Sequence, residues 1–482
     1  MAPNNSKVAH QNQEAVDHKI AKELKLNHIA GPFNEPPFPD FQISPLSLRE
    51  KPDGSGWRLL HDLSYPYNDQ SVNTNIPDQF KKVTYSSIRS AITILQALGN
   101  NTFMAKSDIQ SAFTLVPINP SDYHLLGFQW RKQYYYYTTL PQGAASSCYI
   151  FECIATAIQW ILTHHYGMSN VIHYLDDFLF MNTTTQACQS MLDSFHELCQ
   201  DIGVPINVNK TEGPTTKIIF LGIQLDSVHN KATLPLDKVR RYTALMQDLL
   251  QRKTCKLHEI QKVIGSLQFT TSVVAPGRVF IRRLINGTMG VNKPYHHVHL
   301  TKGMKDDIHM WLTFLNQFNG VAIFIPPEPL LSSTLNLYTD SCPQGFGGTY
   351  KNKYFFGAFP TSWQQFNIAV LEIFPIFLAL QIFVKDMTNK HIRLYTDNKS
   401  VCDVLNSKTT RHTQLLSILR KIVLHTLNNN IVISSKHIPG KRNVLPDALS
   451  RNIHTTLLLQ EHQMELQPTP IPQHLLPENY SW

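Results

Sequence analysis

Two adjacent acids, Asp176 and Asp177, lie between two apolar runs, Val171-Ile172-His173 and Phe178-Leu179-Phe180-Met181, and nothing else in the chain constrains its fold as tightly. Runs of this length and composition read as strands, with Val171–Tyr174 the first of them, so the charged pair belongs at the turn of a hairpin. Acids at such a turn stand at a sheet edge, where carboxylate oxygens suit Mg²⁺. Taken alone, Tyr174-Leu175-Asp176-Asp177 fits a solvated turn as well as a metal site. Asp108, in MAKSDIQSAF, ends a further strand candidate at Thr102–Lys106 and offers a third ligand. Three acids so placed fit nucleotidyl transfer, in which two divalent ions about 3.5–4 Å apart hold the attacking and leaving oxygens. Between the two motifs, Leu140-Pro141-Gln142-Gly143 reads as a turn opening a helix over Ala145–His164.

A second set of acids lies further on. Asp340 ends the strand Leu337-Tyr338-Thr339, and Asp397 ends a strand with the same Leu-Tyr-Thr triplet. Glu372 sits in VLEIFPIFLALQIF, an apolar helix where a carboxylate left unpaired costs several kcal/mol. Asp447 opens a short helix in LPDALSR. Four acids on four elements make a two-metal hydrolase site the natural reading.

At 482 residues the chain has room for several domains. Residues 1–40 are polar, with a helix around Gln13–Leu26 and prolines at 32, 36, 37 and 39, and are expected to form an extended lead-in. Strand and helix patterns alternate over 41–235. Residues 236–318 read as nearly all helix, broken by Gly and Pro. Between Leu236 and Leu312 there are thirteen Lys or Arg against five Asp or Glu, an excess equal to the whole chain's net charge of +8. A basic stripe of this kind suits phosphate contact, a solvated helix face being the alternative. A Pro-rich linker is expected over 319–334, a unit of strands and helices over 335–452, and a tail over 453–482.

In order along the chain, KSDIQSAF, LPQG, YLDD and FLG resemble the palm motifs of reverse transcriptases, and REKPDGSGWRLLHDLS resembles their fingers. The four later acids resemble those of ribonuclease H. The fold class implied is multidomain α+β: a right-hand polymerase of fingers, palm and helical thumb, followed by an α/β ribonuclease H fold. SPLSLREKPDGSGWRLLHDLSYPYNDQSVN, GSLQFTTSVVAPGRVFIRRLI and DDIHMWLTFLNQFNG look most like DIRS-type retrotransposons, with gypsy-type elements next. LPQG is followed by Ala144-Ala145-Ser146-Ser147, where many relatives have an aromatic residue or Leu and then Ala-Pro.

The resemblance implies a role for each matching residue. Asp108, Asp176 and Asp177 would hold two metal ions, Mg²⁺ or Mn²⁺, and Asp340, Glu372, Asp397 and Asp447 would hold two more. Lys51, Arg58, Gln142 and Lys210 would bind the nucleotide, Phe113 would exclude a 2′-hydroxyl, and Phe220, Leu221 and Gly222 would form the primer grip. His437 would assist turnover in the second site. For Phe113 the alternative is a core aromatic, for Lys210 a surface charge, and for His437 a strand-end histidine without a role. Arg240, Arg241, Arg278, Arg282 and Arg283, in the basic stripe, would track nucleic acid.

The implied partners are an RNA template, a DNA primer, RNA–DNA hybrid and deoxynucleoside triphosphates. A non-catalytic nucleic-acid-binding or scaffolding subunit on the same fold is the competing reading. All seven acids are present, whereas an inert scaffold gains nothing from buried unpaired carboxylates. Seven cysteines without a CxxC pair point to a reducing, intracellular setting, cytoplasmic or nuclear. Neither secretion nor membrane insertion is expected. No Asp-Thr-Gly protease string, Cys-His zinc knuckle or integrase-like segment is visible.

Overall fold

The computed structural model describes residues 3–51, 54, 56–317, 336–388, 390–429, 431–453 and 455–480. The chain divides into two compact units, Met1–Asn230 and Lys231–Trp482.

The first unit opens with α1 (Lys7–Gln11), α2 (Gln13–Lys25) and β1 (Ile29–Phe33). The extended lead-in expected for residues 1–40 is therefore replaced by ordered elements. Val16 and Ile20, one turn apart on α2, are buried in a cluster with Leu46, Leu48, Phe128 and Trp130. The hairpin β2 (Leu46–Glu50) and β3 (Trp57–His61) follows, then α3 (Val72–Asn75) and α4 (Ile88–Leu98). After β4 (Phe103–Asp108) come β5 (Gly127–Trp130) and β6 (Gln133–Tyr137), and β1 pairs with β6 from a hundred residues away.

α5 (Ser147–His164) leads into β7 (Val171–Tyr174), β8 (Asp177–Asn182) and α6 (Thr185–Asp201). β9 (Glu212–Thr215), β10 (Lys217–Phe220) and β11 (Ile223–Asp226) complete the unit. One four-stranded sheet has the order β7-β8-β4-β9. Beneath it Phe151 on α5, Phe178 and Phe180 on β8, and Phe195 on α6 are all fully buried. Each such side chain contributes roughly 2–3 kcal/mol by burial, which fixes the register of the strands above.

The second unit begins with β12 (Lys231–Thr233), α7 (Leu236–Leu250), β13 (Thr254–Lys256), α8 (Leu257–Thr270), α9 (Arg282–Asn286), β14 (His297–His299) and α10 (Lys302–Gln317). The segment expected to be nearly all helix is thus interrupted by a short β13–β14 ladder. The expected linker at 319–334 lies outside the described residues. Then come β15 (Asn336–Ser341), β16 (Gly345–Tyr350), β17 (Lys353–Ala358), α11 (Ile368–Ile382), α12 (Val384–Met387) and β18 (His391–Thr396). α13 (Lys399–Ser407), α14 (Thr413–Asn428), β19 (Val432–His437), α15 (Val444–Arg451) and α16 (Thr455–Glu461) follow.

Five strands form a mixed sheet in the order β17-β16-β15-β18-β19, with β15, β18 and β19 parallel. α11 is apolar all round and buried from Ala369 to Leu380, as a central helix must be. The helical segment and this sheet belong to one unit. Asp307 of α10, fully buried, is ion-paired with Arg420 of α14 and lies 3.7 Å from Arg283. Arg420 also stacks over the Phe280 ring. The residues after α15 do not form a loose tail. Glu465 and Thr469 donate backbone hydrogen bonds to Asn352, just before β17, and to Tyr354 on it, and Tyr480 packs on Trp363, Phe374 and Phe377.

Candidate active sites

In the first unit, β7 and β8 pair with Tyr174 opposite Asp177, which leaves Leu175 and Asp176 as a two-residue turn. Leu175 takes φ 52°, a left-handed conformation uncommon for a leucine. Its N–H donates to Glu152 of α5 at 3.2 Å, and the other Glu152 oxygen lies 3.2 Å from His173. His173 is in turn held by Gln159. This buried group supports the acidic turn from below. Its only trace in the sequence is two polar side chains in an otherwise apolar helix face.

Across the sheet, Asp108 of β4 stands directly opposite Asp177 of β8. Asp108, Asp176 and Asp177 bring ligand oxygens within 4.8 Å of one another. Burial, then the neighbouring Asp176 and Asp108, pushes the Asp177 carboxyl up to about 7. Asp176 is raised by burial and by Asp108, with Lys210 and Arg58 opposing. Lys210 donates to Asp108 at 2.8 Å, so one cation is already built into the cluster. Crowded, partly desolvated carboxylates of this kind fit divalent cations.

The acids open into a cavity of about 470 Å³, lined among others by Asp108, Asp176, Phe113, Gln142 and Lys210. Lys51 and Arg58 of the β2–β3 hairpin line it too. Phe113 meets Phe151 edge-on while keeping one side on the cavity. Gln142 is placed by its backbone: its carbonyl accepts from the His61 N–H at 2.9 Å. Gly143 makes that approach possible, since at φ 147° a Cβ would fall 1.8 Å from the His61 carbonyl oxygen. Asn73 of α3 clamps the same loop, donating to the Gly143 carbonyl and accepting from the Ala145 N–H. Phe220, Leu221 and Gly222 form the β10–β11 turn, with φ of 47° at Leu221 and 74° at Gly222, as a tight hairpin turn requires.

In the second unit, Asp340, Glu372 and Asp397 bring ligand oxygens within 4.8 Å of one another. Asp397 follows β18, Asp340 is on β15, and Glu372 comes from α11 beneath the sheet. Burial, then Asp340 and Asp397, pushes the Glu372 carboxyl up to about 9, and burial raises Asp340 to about 6. Among the described residues the buried Glu372 Oε2 has no hydrogen-bond partner, which fits a cation ligand. Asp447 is not in the cluster. It is partly exposed and paired with Arg451 one turn along α15, near enough only to raise Asp340. The α15 contact with Asp340 comes from Ser450, whose hydroxyl donates at 2.7 Å, and from the preceding Asn443 amide at 3.4 Å. The exposed His437 approaches the Asp397 backbone carbonyl at 3.0 Å.

The five basic-stripe arginines separate into two groups. Arg240, Arg241 and Arg278 are exposed. Arg282 donates to the Thr409 hydroxyl, and Arg283 to the Gly303 carbonyl beside Asp307, so these two bind their own unit together.

Residues 50–225 match the family described as reverse transcriptase (RNA-dependent DNA polymerase), so homology to reverse transcriptases holds over that stretch. The Gag-Pro-Pol polyprotein of Human T-cell leukemia virus 2 is 24% identical over 332 residues, which are 66% of this chain and 20% of the polyprotein. The chain thus spans about a fifth of the length of that relative. A foamy viral protease-reverse transcriptase in complex with dsDNA superposes with a TM-score of 0.53 at 15% identity, covering 91% of this chain and 86% of that one. A foamy viral protease-reverse transcriptase in complex with RNA/DNA hybrid gives 0.52 at 16% identity, covering 90% of this chain and 55% of that one. At such identities the likeness is one of fold. No helix among the described residues is long and apolar enough to cross a membrane.

Proposed function

We propose that the chain is an RNA-directed DNA polymerase that also cuts the RNA strand of RNA–DNA hybrids. The observation that carries the polymerase reading is Asp108 facing Asp177 across two strands, with Asp176 at the adjoining turn above a nucleotide-sized cavity. Asp108, Asp176 and Asp177 would hold two Mg²⁺ or Mn²⁺ ions, which when bound supply Lewis-acid stabilisation of the attacking and leaving oxygens. Lys51, Arg58 and Lys210 attract the triphosphate to the cavity, and Gln142 meets the nucleotide from a loop fixed by Asn73 and Gly143. Phe113, braced by Phe151, forms the wall against a 2′-hydroxyl, and the Leu221-Gly222 turn rests the primer.

Support for the hydrolase reading comes from Asp340, Glu372 and Asp397 around the orphaned Glu372 oxygen. The order of the five strands favours it as well. His437 stands beside that cluster. Exposed Arg240, Arg241 and Arg278 would contact phosphates. The DIRS-type stretches support a retroelement origin, and seven free thiols suit work inside the cell. Primer extension on an RNA template, with and without Mg²⁺, tests the reading: metal-dependent DNA synthesis is expected, and its absence would overturn it.

A further inference from the structure

The cavity above Asp108 and Asp176 has a wall that lies before the family-matched stretch of 50–225. Lys19 and Lys22 of α2 line it alongside Lys51, Arg58 and Lys210. α2 is anchored by Val16 and Ile20 in the core, so the face one residue round the helix is carried to the cavity on a rigid element. Burial and the nearness of Lys22 and Lys51 lower the Lys19 ammonium from its ordinary value. Glu23, on the same wall, meets His28 at 2.6 Å, and its single negative charge is outnumbered there by Lys19, Lys22 and Lys51. Five cations therefore line a cavity of about 470 Å³, too small for a duplex and of a size for one nucleotide.

We propose that Lys19 and Lys22 are triphosphate-binding residues, which extend the Lys51–Arg58 wall so that the N-terminal helix grips the tail of the incoming nucleotide. This rests on the polymerase reading. An ammonium is a compact point charge on a long stem, suited to the terminal phosphates, whose charge is highest and whose position shifts during the reaction. The ligand class is deoxynucleoside triphosphates irrespective of base, since an ammonium on a terminal phosphate reads charge and not the base.

The experiment uses the full chain on an RNA template annealed to a DNA primer with a dideoxy 3′ end, with dTTP as the probe and template adenine next. Lys22→Ala and Lys19→Gln, which keeps most of the buried stem, are compared with the parent and with Lys25→Ala on the exposed side of α2. Each cavity variant is expected to weaken dTTP retention on the order of tenfold, the loss of one charge-assisted contact. With an extendable primer, KM for dTTP should rise by a similar factor while kcat stays within about twofold. Inorganic tripolyphosphate should compete less well against the variants than against the parent. Unchanged dTTP affinity in both variants would overturn the proposal, as would a loss confined to primer–template affinity, which would assign the lysines to nucleic acid. A parent that forms no dTTP-dependent complex would instead bring down the polymerase reading beneath it.

Discussion

The two carboxylate clusters each bring their oxygens within 4.8 Å of one another, yet they manage the repulsion in different ways. In the first unit the acids lie on neighbouring strands and a tight turn, and Lys210 gives Asp108 a counter-charge at 2.8 Å. In the second they come from β15, α11 and the end of β18, and the groups touching Asp340 are neutral: the Ser450 hydroxyl and the Asn443 amide. Burial is the first cause of the rise at both, taking Asp177 to about 7 and the more deeply buried Glu372 to about 9, with Lys210 opposing the rise only in the first cluster. A built-in cation lets a cluster keep its charge near neutral pH. Neutral donors fix the geometry but leave the central acid protonated until a cation binds.

The sharpest break between the clusters should come from Asp176→Asn. It keeps the turn's shape while removing a ligand charge, so RNA-templated extension should fall by about a thousandfold or more, with hybrid cleavage retained. Near-parental extension would rule out the first cluster as the polymerase centre. Glu372→Gln should do the converse, lowering cleavage of the RNA strand by about a hundredfold or more and leaving extension within about twofold. Loss of both activities together would show that the clusters do not act independently.

A smaller effect separates them by pH. A carboxyl whose folded value is raised favours the folded state below its ordinary value, and that advantage disappears as pH rises through the folded one. For Asp177 this loss runs from about 4 to about 7, and for Glu372 from about 4.5 to about 9. Between pH 7 and 9 in chelator, the chain should therefore lose on the order of 2 kcal/mol through Glu372 alone. Chemical denaturation at the two pH values measures it, and Glu372→Gln should flatten the difference; an equal slope in that variant would place the titration elsewhere.

The smallest effect would make the first cluster resemble the second. Lys210→Met removes the internal counter-charge, so Mg²⁺ should raise the variant's stability by about 1 kcal/mol more than it raises the parent's. Melting curves across a Mg²⁺ titration decide this, and an unchanged increment would mean that Lys210 and the metal do not compete for Asp108.

Much of the first site was legible in the sequence because its parts are local. A hairpin fixes Tyr174 to Asp177 within four residues, and the strand ending at Asp108 carries its own apolar pattern. What escaped depends on distant partners. The prolines around residues 32–39 suggested an extended lead-in, yet β1 finds its partner in Tyr134–Tyr137, which no local pattern marks. α15 shows the same limit within one helix. Asp447 was the acid expected at the second cluster, but the helix turns Ser450, three residues on, toward Asp340 and leaves Asp447 to Arg451. Composition marks a basic stripe, but it cannot say that Arg282 and Arg283 are engaged by Thr409 and Gly303 of their own unit.

The backbone bonds from Glu465 and Thr469 to Asn352 and Tyr354 have a practical consequence for anyone trimming this protein. They occupy the outer rim of the five-stranded sheet, and Tyr480 roofs an aromatic nest at Trp363 and Phe374. A version cut back to residue 452 would bare the outer edge of β17 beside an oily hollow, the combination that makes chains stick to one another. The last described residues thus cover the sheet's rim, and a shortened chain should be sought by removing loops elsewhere.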